Sequence, residues 1–350
     1  MSASRPNVAV VGVTGAVGQE FLKVLEQRNF PIGELKLLAS ARSAGKTLTF
    51  KGVTYTIEEL TKDSFHGVDL ALFSAGGSIS KQFAPIAVDA GAVVVDNSSA
   101  FRMTEGVPLV APEVNADAIT QAGIALGKKP GIIANPNCST IIMIVAVTPL
   151  HRRANVKRMV VSTYQAASGA GAAAMLELET QTREVLAGKT EAELTKAIFG
   201  VQYAFNLFSH NSDIGPDGYN TEEVKLLKET HKIWKQMPGV NDTRVTATCV
   251  RVPVMRAHAE SINLSFEHDL TEAEARALLE KAPGVTVIDD RQANRFPMPL
   301  DATGRDDVYV GRIRRDVSQD GDKGLDLFVC GDQIRKGAAL NAVQIAELLV

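Results

Sequence analysis

A run of four apolar residues, Val8-Ala9-Val10-Val11, ends in the turn Gly12-Val13-Thr14-Gly15-Ala16-Val17-Gly18. The turn opens a segment, Gln19 to Gln27, in which Phe21, Leu22, Val24 and Leu25 fall at helical spacing. A short strand without polar alternation is buried on both faces, which demands a parallel sheet covered by helices. Glycines at G-x-x-G-x-x-G between strand and helix permit a tight turn and let a pyrophosphate approach the backbone where the first helical N–H groups are unpaired. Gly12, Thr14, Gly15, Ala16, Val17 and Gly18 are the expected cradle.

The same rhythm continues through Leu35 to Ala39, Leu70 to Phe73, Val93 to Val95 and Ile132 to Ala134. After about residue 150 the texture changes. Arg158 to Gln165, Arg244 to Val252, Ser261 to Phe266, Asp307 to Arg312 and Gly324 to Cys330 read as longer, partly alternating strands. Helical patterns at about 170–187, 221–236 and 271–281 interrupt them. The fold class is therefore α/β, a Rossmann-type parallel-sheet domain followed by an α+β domain with a mixed, largely antiparallel sheet. Residues 1–136 are expected to form the nucleotide-binding domain, completed by a C-terminal helix over 333–350, and residues 137–332 the second domain. Ser209 to Asn220 is polar and rich in Gly and Pro, a surface excursion able to border a site.

A formal charge of −3 argues against nucleic acid or an anionic membrane as the main partner. No apolar run approaches the ~20 residues that span a bilayer, and Met1 to Asn7 lacks an apolar signal core. Cys138, Cys249 and Cys330 are too few and scattered for a disulfide framework or a CxxC metal site, so no metal is expected. Their odd number suits the cytoplasm.

Cofactor choice is read at the end of the second strand, where NAD binders carry an acidic residue for the ribose hydroxyls. Ala39-Ser40-Ala41-Arg42-Ser43-Ala44-Gly45-Lys46 offers no carboxylate there. Ser40, Arg42 and Ser43 instead suit a 2′-phosphate, and NADP(H) is the expected cofactor.

Cys138, in Asn135-Pro136-Asn137-Cys138-Ser139-Thr140, lies between the strand Ile132 to Ala134 and the apolar segment Ile141 to Val147. A helix N-terminus at the C-terminal end of a parallel strand favours a thiolate, and its N–H groups can bind an oxyanion. Cys249 and Cys330, in apolar strands, read as core filler. Arg102 follows the strand Val93 to Val95, on the same edge of the sheet. Among the histidines, His66, His151 and His231 read as surface residues, whereas His258 follows Arg251 and Arg256 in a segment too polar for a core strand. On one straight strand Arg251 and His258 would face opposite sides, so Pro253 must break the ladder between them. Arg256 is the rival of Arg251 for an anionic group. Gln165 ends an apolar strand, and Glu222 and Lys225 share one helix face, where a solvated ion pair is the simplest reading.

Together with the glycine turn, the segments ASARSAGK, DNSSAFR, NPNCST, TYQAASGAG, TEEVK, RVPVMRAH and RKGAALNAVQIAE resemble the bacterial aspartate-semialdehyde dehydrogenase family over nearly the whole chain. The resemblance implies reductive dephosphorylation of aspartyl-4-phosphate through a thioester on Cys138, a step in lysine, threonine, methionine and isoleucine biosynthesis. It implies His258 as acid/base and Gln165 as orienting group. Arg102, Asn137 and Lys225 would bind phosphate, Arg251 the substrate carboxylate and Glu222 its amine. Ser74, Gly76, Ser168, Gly169 and Asn341 join the cofactor set, and a homodimer or dimer of dimers is expected. Asp332-Gln333 departs from the Asp-Asn expected there. The alternatives are another thioester-forming aldehyde dehydrogenase (acting on N-acetylglutamyl phosphate or glyceraldehyde-3-phosphate), a non-catalytic NADP-binding redox sensor, and a cysteine hydrolase. The hydrolase would leave residues 12–46 unexplained.

Overall fold

A computed structural model describes residues 5–235, 237 and 243–350. The chain divides into two compact units. One is Met1–Asn137 with Lys232–Met237 and Ala338–Val350; the other is Cys138–His231 with Pro238–Gly337. The boundary expected after residue 136 falls one residue later, and residues 333–337 belong with the second unit instead of the first. Gln236 and the start of the expected N-terminal reading, residues 1–4, lie outside the described residues.

The first unit is built on seven strands: β1 (Val8–Val11), β2 (Leu35–Ala39), β3 (Thr47–Phe50), β4 (Val53–Glu59), β5 (Leu70–Phe73), β6 (Val93–Asp96) and β7 (Ile132–Ala134). Their order is β3-β4-β2-β1-β5-β6-β7. All neighbours are parallel except β3 and β4, which form a hairpin. Side chains alternate between two separate cores. Val8, Val10, Leu35, Leu37, Leu70 and Leu72 pack with the helix Ala16–Gln27 and the closing helix Leu340–Glu347. Ala9, Val11, Leu38, Ala71 and Phe73 pack with the helix Gly77–Asp89 on the other face. Both faces are therefore covered, as the unbroken apolar runs require. The order reverses between β1 and β5, and at that switch point the glycine turn leaves the sheet.

The second unit carries β8 (Val156–Gln165), β9 (Phe208–Ser209), β10 (Arg244–Arg251), β11 (His258–Phe266), β12 (Val285–Val287), β13 (Val308–Arg315) and β14 (Gly324–Gly331). The order is β12-β13-β14-β11-β8-β10-β9. β8 and β10 are parallel, as are β12 and β13; the other pairs are antiparallel. The helix Cys138–Ala154 packs against this sheet and is buried nearly all round, which its lack of a polar face foretells. His151 on that helix is buried, contrary to expectation. Its Nδ1 accepts the N–H of Val156, a bond that turns the chain from helix into β8.

Candidate functional site

Each unit contributes its own group of residues. In the first, a groove of about 380 Å³ runs beside the glycine turn and reaches Ser40, Ser74 and Phe83. Gly12 has φ +84°, and a Cβ there would lie 2.4 Å from the Ser74 carbonyl oxygen. A Cβ on Gly18 would lie 2.2 Å from the Gly12 carbonyl oxygen. The turn can exist only with glycine at both positions, because backbone atoms occupy the space a side chain would need. Gly15, with ordinary extended dihedrals, leaves the groove side open at the N-terminus of the helix Ala16–Gln27. Thr14, Ser40 and Arg42 are exposed, Ser43, Ala16 and Val17 are half-buried, and Gly76 opens the next helix in the left-handed region (φ +88°).

One element of this groove escaped the sequence pattern. Pairing of β2 with β4 sets Ala39 opposite Glu59, and Glu59 lines the groove. The segment Ala39 to Lys46 carries no carboxylate, but the groove it borders has one. The hairpin of β3 and β4 delivers one from 20 residues downstream. Asn341 is placed at the closing helix. It is fully buried, and its Nδ2 donates to Val110 O at 3.0 Å and Asn135 Oδ1 at 2.7 Å, tying the closing helix to the sheet. Arg102 is buried, donating from Nε to Asn135 O (2.8 Å) and from Nη2 to Asn97 O (3.0 Å). It thus braces the loop that ends in Asn137. Lys232, unremarked in the sequence, donates to the carbonyls of Arg102 and Thr104 at 2.7 and 2.9 Å.

In the second unit, Cys138 is the first residue of its helix and is half-buried. A Cβ on Gly337 would fall 2.8 Å from that of Cys138, so glycine alone lets the backbone run along the cysteine. Cys249 and Cys330 are buried. Burial pushes the Cys330 thiol up to about 12 and Cys249 further still, so both stay neutral and inert.

The strand β8, between β11 and β10, settles how Arg251 and His258 meet. β10 places Arg251 beside Gln165. On the other side of β8, β11 pairs Ala259 with Tyr164, which brings His258 level with Gln165. The two residues are thus not on one strand. Residues 252–257 cross over the end of β8, with Ala257 in the left-handed region (φ +71°) and its N–H held by Gln333 Oε1 at 2.9 Å. A Cβ on Gly169 would lie 3.1 Å from Arg251 Nη1 and 3.1 Å from His258 Nε2. Gly169 therefore leaves open the space onto which both groups converge. Ser168 is buried and its hydroxyl accepts a hydrogen bond from Gln333 Nε2.

Gln165 knits the group together. Its Nε2 lies 3.2 Å from Ser139 Oγ and 3.3 Å from Glu222 Oε1, and its Oε1 accepts from Arg251 Nη1 at 3.5 Å. Lys225 donates to Glu222 Oε2 at 3.0 Å, so the pair read from the helix spacing forms, with Glu222 buried. Arg251 is 4 % exposed, and its three acceptors, Asn211 Oδ1, Gln165 Oε1 and Ala166 O, are all neutral. Burial lowers its pKa; the charges of Glu222, Tyr203 and Cys138 oppose that shift. A buried guanidinium without a bonded carboxylate favours an anionic ligand. Arg256, the rival, is instead paired with Asp332 at 2.7 Å.

His258 is fully buried. Its Nδ1 accepts the Ala166 N–H at 3.0 Å, which assigns the ring proton to Nε2. Nε2 has no hydrogen-bond partner among the described residues. Burial, and secondarily Arg251, push its pKa down to about 3. At neutral pH it is an uncharged donor aimed into the open space.

A dinucleotide-type parallel sheet and a mixed-sheet unit within one chain are the two parts of a dehydrogenase class. Residues 7–122 match the family model "Semialdehyde dehydrogenase, NAD binding domain", and residues 147–336 match "Semialdehyde dehydrogenase, dimerisation domain". The chain is 56 % identical to the aspartate-semialdehyde dehydrogenase of Synechocystis sp., over 98 % of this chain and 97 % of the relative. The crystal structure of aspartate semialdehyde dehydrogenase II from Vibrio cholerae, complexed with ASA, matches with TM-score 0.92 and 42 % identity over 99 % of this chain and 98 % of that one. The Candida albicans enzyme, solved with NADP, matches with TM-score 0.73 and 25 % identity over 99 % and 98 %. The chain belongs to the aspartate-semialdehyde dehydrogenase family.

Proposed function

We propose that the chain reduces aspartyl-4-phosphate to aspartate-4-semialdehyde with NADPH, through a thioester on Cys138. The observation that carries this reading is the convergence of Arg251, His258, Gln165 and Glu222 in the unit that also holds Cys138. Arg251 meets the substrate α-carboxylate with two parallel donors. Glu222, linked to it through Gln165, accepts the ammonium group. That pairing of cation and anion fits an amino acid and disfavours glyceraldehyde-3-phosphate, which has neither group.

The Cys138 thiolate adds to the acyl carbon, the C–O bond to phosphate breaks, and phosphate leaves with the electron pair. Asn137, Lys225 and Arg102 are assigned to the phosphate, on the strength of their donor chemistry. The dinucleotide, when bound, supplies a hydride to the thioester carbon. As the carbonyl oxygen gains charge, His258 Nε2–H donates to it, and the first N–H groups of the Cys138 helix can share that charge. Collapse of the hemithioacetal releases the aldehyde and restores the thiolate. His258 acts here as a neutral donor; base catalysis from Nε2 would require the other tautomer.

For the cofactor, the glycine cradle fits a pyrophosphate, and Ser40, Arg42 and Ser43 suit a 2′-phosphate, with Glu59 working against it. The relative solved with NADP supports the same choice. We further infer a homodimer, from the match to a dimerisation domain, and a cytoplasmic setting, which three free thiols suit. Among the described residues no helix is long and apolar enough to cross a membrane.

The test follows NADPH formation from aspartate semialdehyde and phosphate by wild type and Cys138→Ala. Activity without phosphate, or full activity in the variant, would overturn the mechanism.

A further inference from the structure

The Arg251 guanidinium poses a problem that hydrogen bonds alone do not solve. It is a buried cation whose protein acceptors are neutral and 3.3–3.5 Å away. Such a charge is costly to desolvate and free to reorient, unless something else fixes its plane. The Phe199 ring centroid lies 5.7 Å from Arg251 Cζ. Phe199 belongs to a trio with Tyr203 and Phe208, at centroid distances of 4.8, 5.6 and 5.4 Å and all edge-on. Phe208 stands directly opposite Arg251 in the pairing of β9 with β10, and Tyr203 Oη donates to Val252 O at 2.5 Å.

The trio is itself anchored from behind. On the helix Ala172–Leu186, Glu177 and Gln181 are one turn apart and both buried. Glu177 accepts the Phe199 N–H at 3.2 Å, and Gln181 Oε1 accepts the Tyr203 N–H at 2.6 Å. Two buried polar side chains thus serve to fix a loop whose aromatic rings end against one arginine. The Tyr203 hydroxyl feels that cation: burial raises it to about 12, and Arg251 pulls the other way.

We propose that Phe199 is a specificity-determining positioning residue: its ring, held by Tyr203 and Phe208, stabilises and orients the Arg251 guanidinium for a substrate carboxylate. This rests on the assignment of Arg251 above. The ring's negative face adds to the through-space pull of the Glu222 charge before substrate arrives, and the ring keeps water from that side of the guanidinium. An aliphatic residue of similar bulk fills the space but supplies no such face.

The experiment compares Phe199→Leu and Phe199→Trp with wild type in phosphate-dependent oxidation of aspartate semialdehyde. Phe199→Leu is expected to raise KM for the aldehyde roughly tenfold, as loss of a buried cation–π contact would. Its kcat and the KM values for phosphate and NADP stay within about twofold, because Arg251 binds but does not react. Phe199→Trp restores the aldehyde KM. Protection of Cys138 from iodoacetamide by L-aspartate gives a readout independent of turnover, and Phe199→Leu should need about tenfold more aspartate. An unchanged KM and unchanged protection would overturn the proposal, as would equal losses in all three KM values and kcat, which signal general damage. Wild type inactive on the aldehyde, yet with protection weakened by Phe199→Leu, would sink the substrate assignment and leave the aromatic platform standing.

Discussion

Replacing Gly18 by Ala isolates what the glycine turn contributes to folding. The new methyl would sit 2.2 Å from the Gly12 carbonyl oxygen and 2.7 Å from Val13 Cα. Both neighbours are backbone, so no rotamer change relieves the clash, and the helix Ala16–Gln27 must lift off the turn. Overpacking of this kind costs about 1–3 kcal/mol, and each kcal/mol lowers the melting temperature of a unit this size by about 2–4 °C. A loss of roughly 2–12 °C is therefore expected, with weaker dinucleotide binding, because the lifted helix carries its unpaired N–H groups away from the pyrophosphate. Gly15→Ala is the matched control. Its methyl meets only the Gly12 oxygen at 3.4 Å, and the residue's φ of −75° suits alanine. It should leave the melting temperature within about 1 °C while lowering NADP affinity, since Gly15 lines the groove. Calorimetry and fluorescence titration read both. If Gly18→Ala melts like wild type, the close approach of helix and turn is not what fixes this motif.

The remaining expectations are shorter. Gly169→Ala puts a methyl 3.0 Å from the His258 ring and 3.1 Å from Arg251 Nη1; kcat/KM should fall 10- to 100-fold, roughly the loss that misplacing reacting groups by an ångström brings. Arg42→Asp should raise KM for NADP relative to NAD by about tenfold or more, and Glu59→Gln should move the ratio toward NADP; steady-state kinetics with both cofactors decides. Burial pushes His258 down to about 3 and His151 and His210 to about 4. The unfolded chain takes up those protons first, so stability should drop as pH falls from 6.5 toward 4, in thermal melts. Glu260 acts at the other limb. It is fully buried, neither carboxylate oxygen has a partner among the described residues, and burial raises its pKa well above the usual range. The folded chain then holds a proton that the unfolded chain releases above about pH 4.5, so stability falls as pH rises from there, and Glu260→Gln should remove that decline. An identical pH–melting curve for Glu260→Gln would refute it.

How much of this was legible in the sequence depended on how local the cause was. The parallel sheet followed from apolar runs such as Val8 to Val11, since burial on both faces leaves a direct compositional mark. The five longer strands of the second unit appeared within two or three residues of their bounds. The hairpin of β3 and β4 did not, because Thr47–Phe50 and most of Val53–Glu59 are solvated and give no periodic signal. Glu59 was missed with it. His151 was misread because burial of a polar ring depends on a partner, the Val156 N–H, that no spacing rule reveals. The meeting of Arg251 and His258 was the hardest case. It required a crossing over β8, and Pro253 hinted at a break without saying where the chain re-enters. Phe199 left no trace at all, since the contact with Arg251 spans 52 residues.

The closing segment Ala338–Val350 has a consequence for how the chain is made. Leu340, Val343 and Ile345 complete the core beside β1, and Asn341 bonds to residues more than 200 positions earlier. During synthesis the six parallel strands of this sheet emerge early, yet one flank, covered only by the helix Ala16–Gln27, stays incomplete while the ribosome makes the entire second unit. That apolar flank is open to wrong partners for as long as translation takes, about 10–40 s for 200 intervening residues at ordinary rates. The nucleotide-binding half leaves the ribosome before the second unit, yet is finished after it.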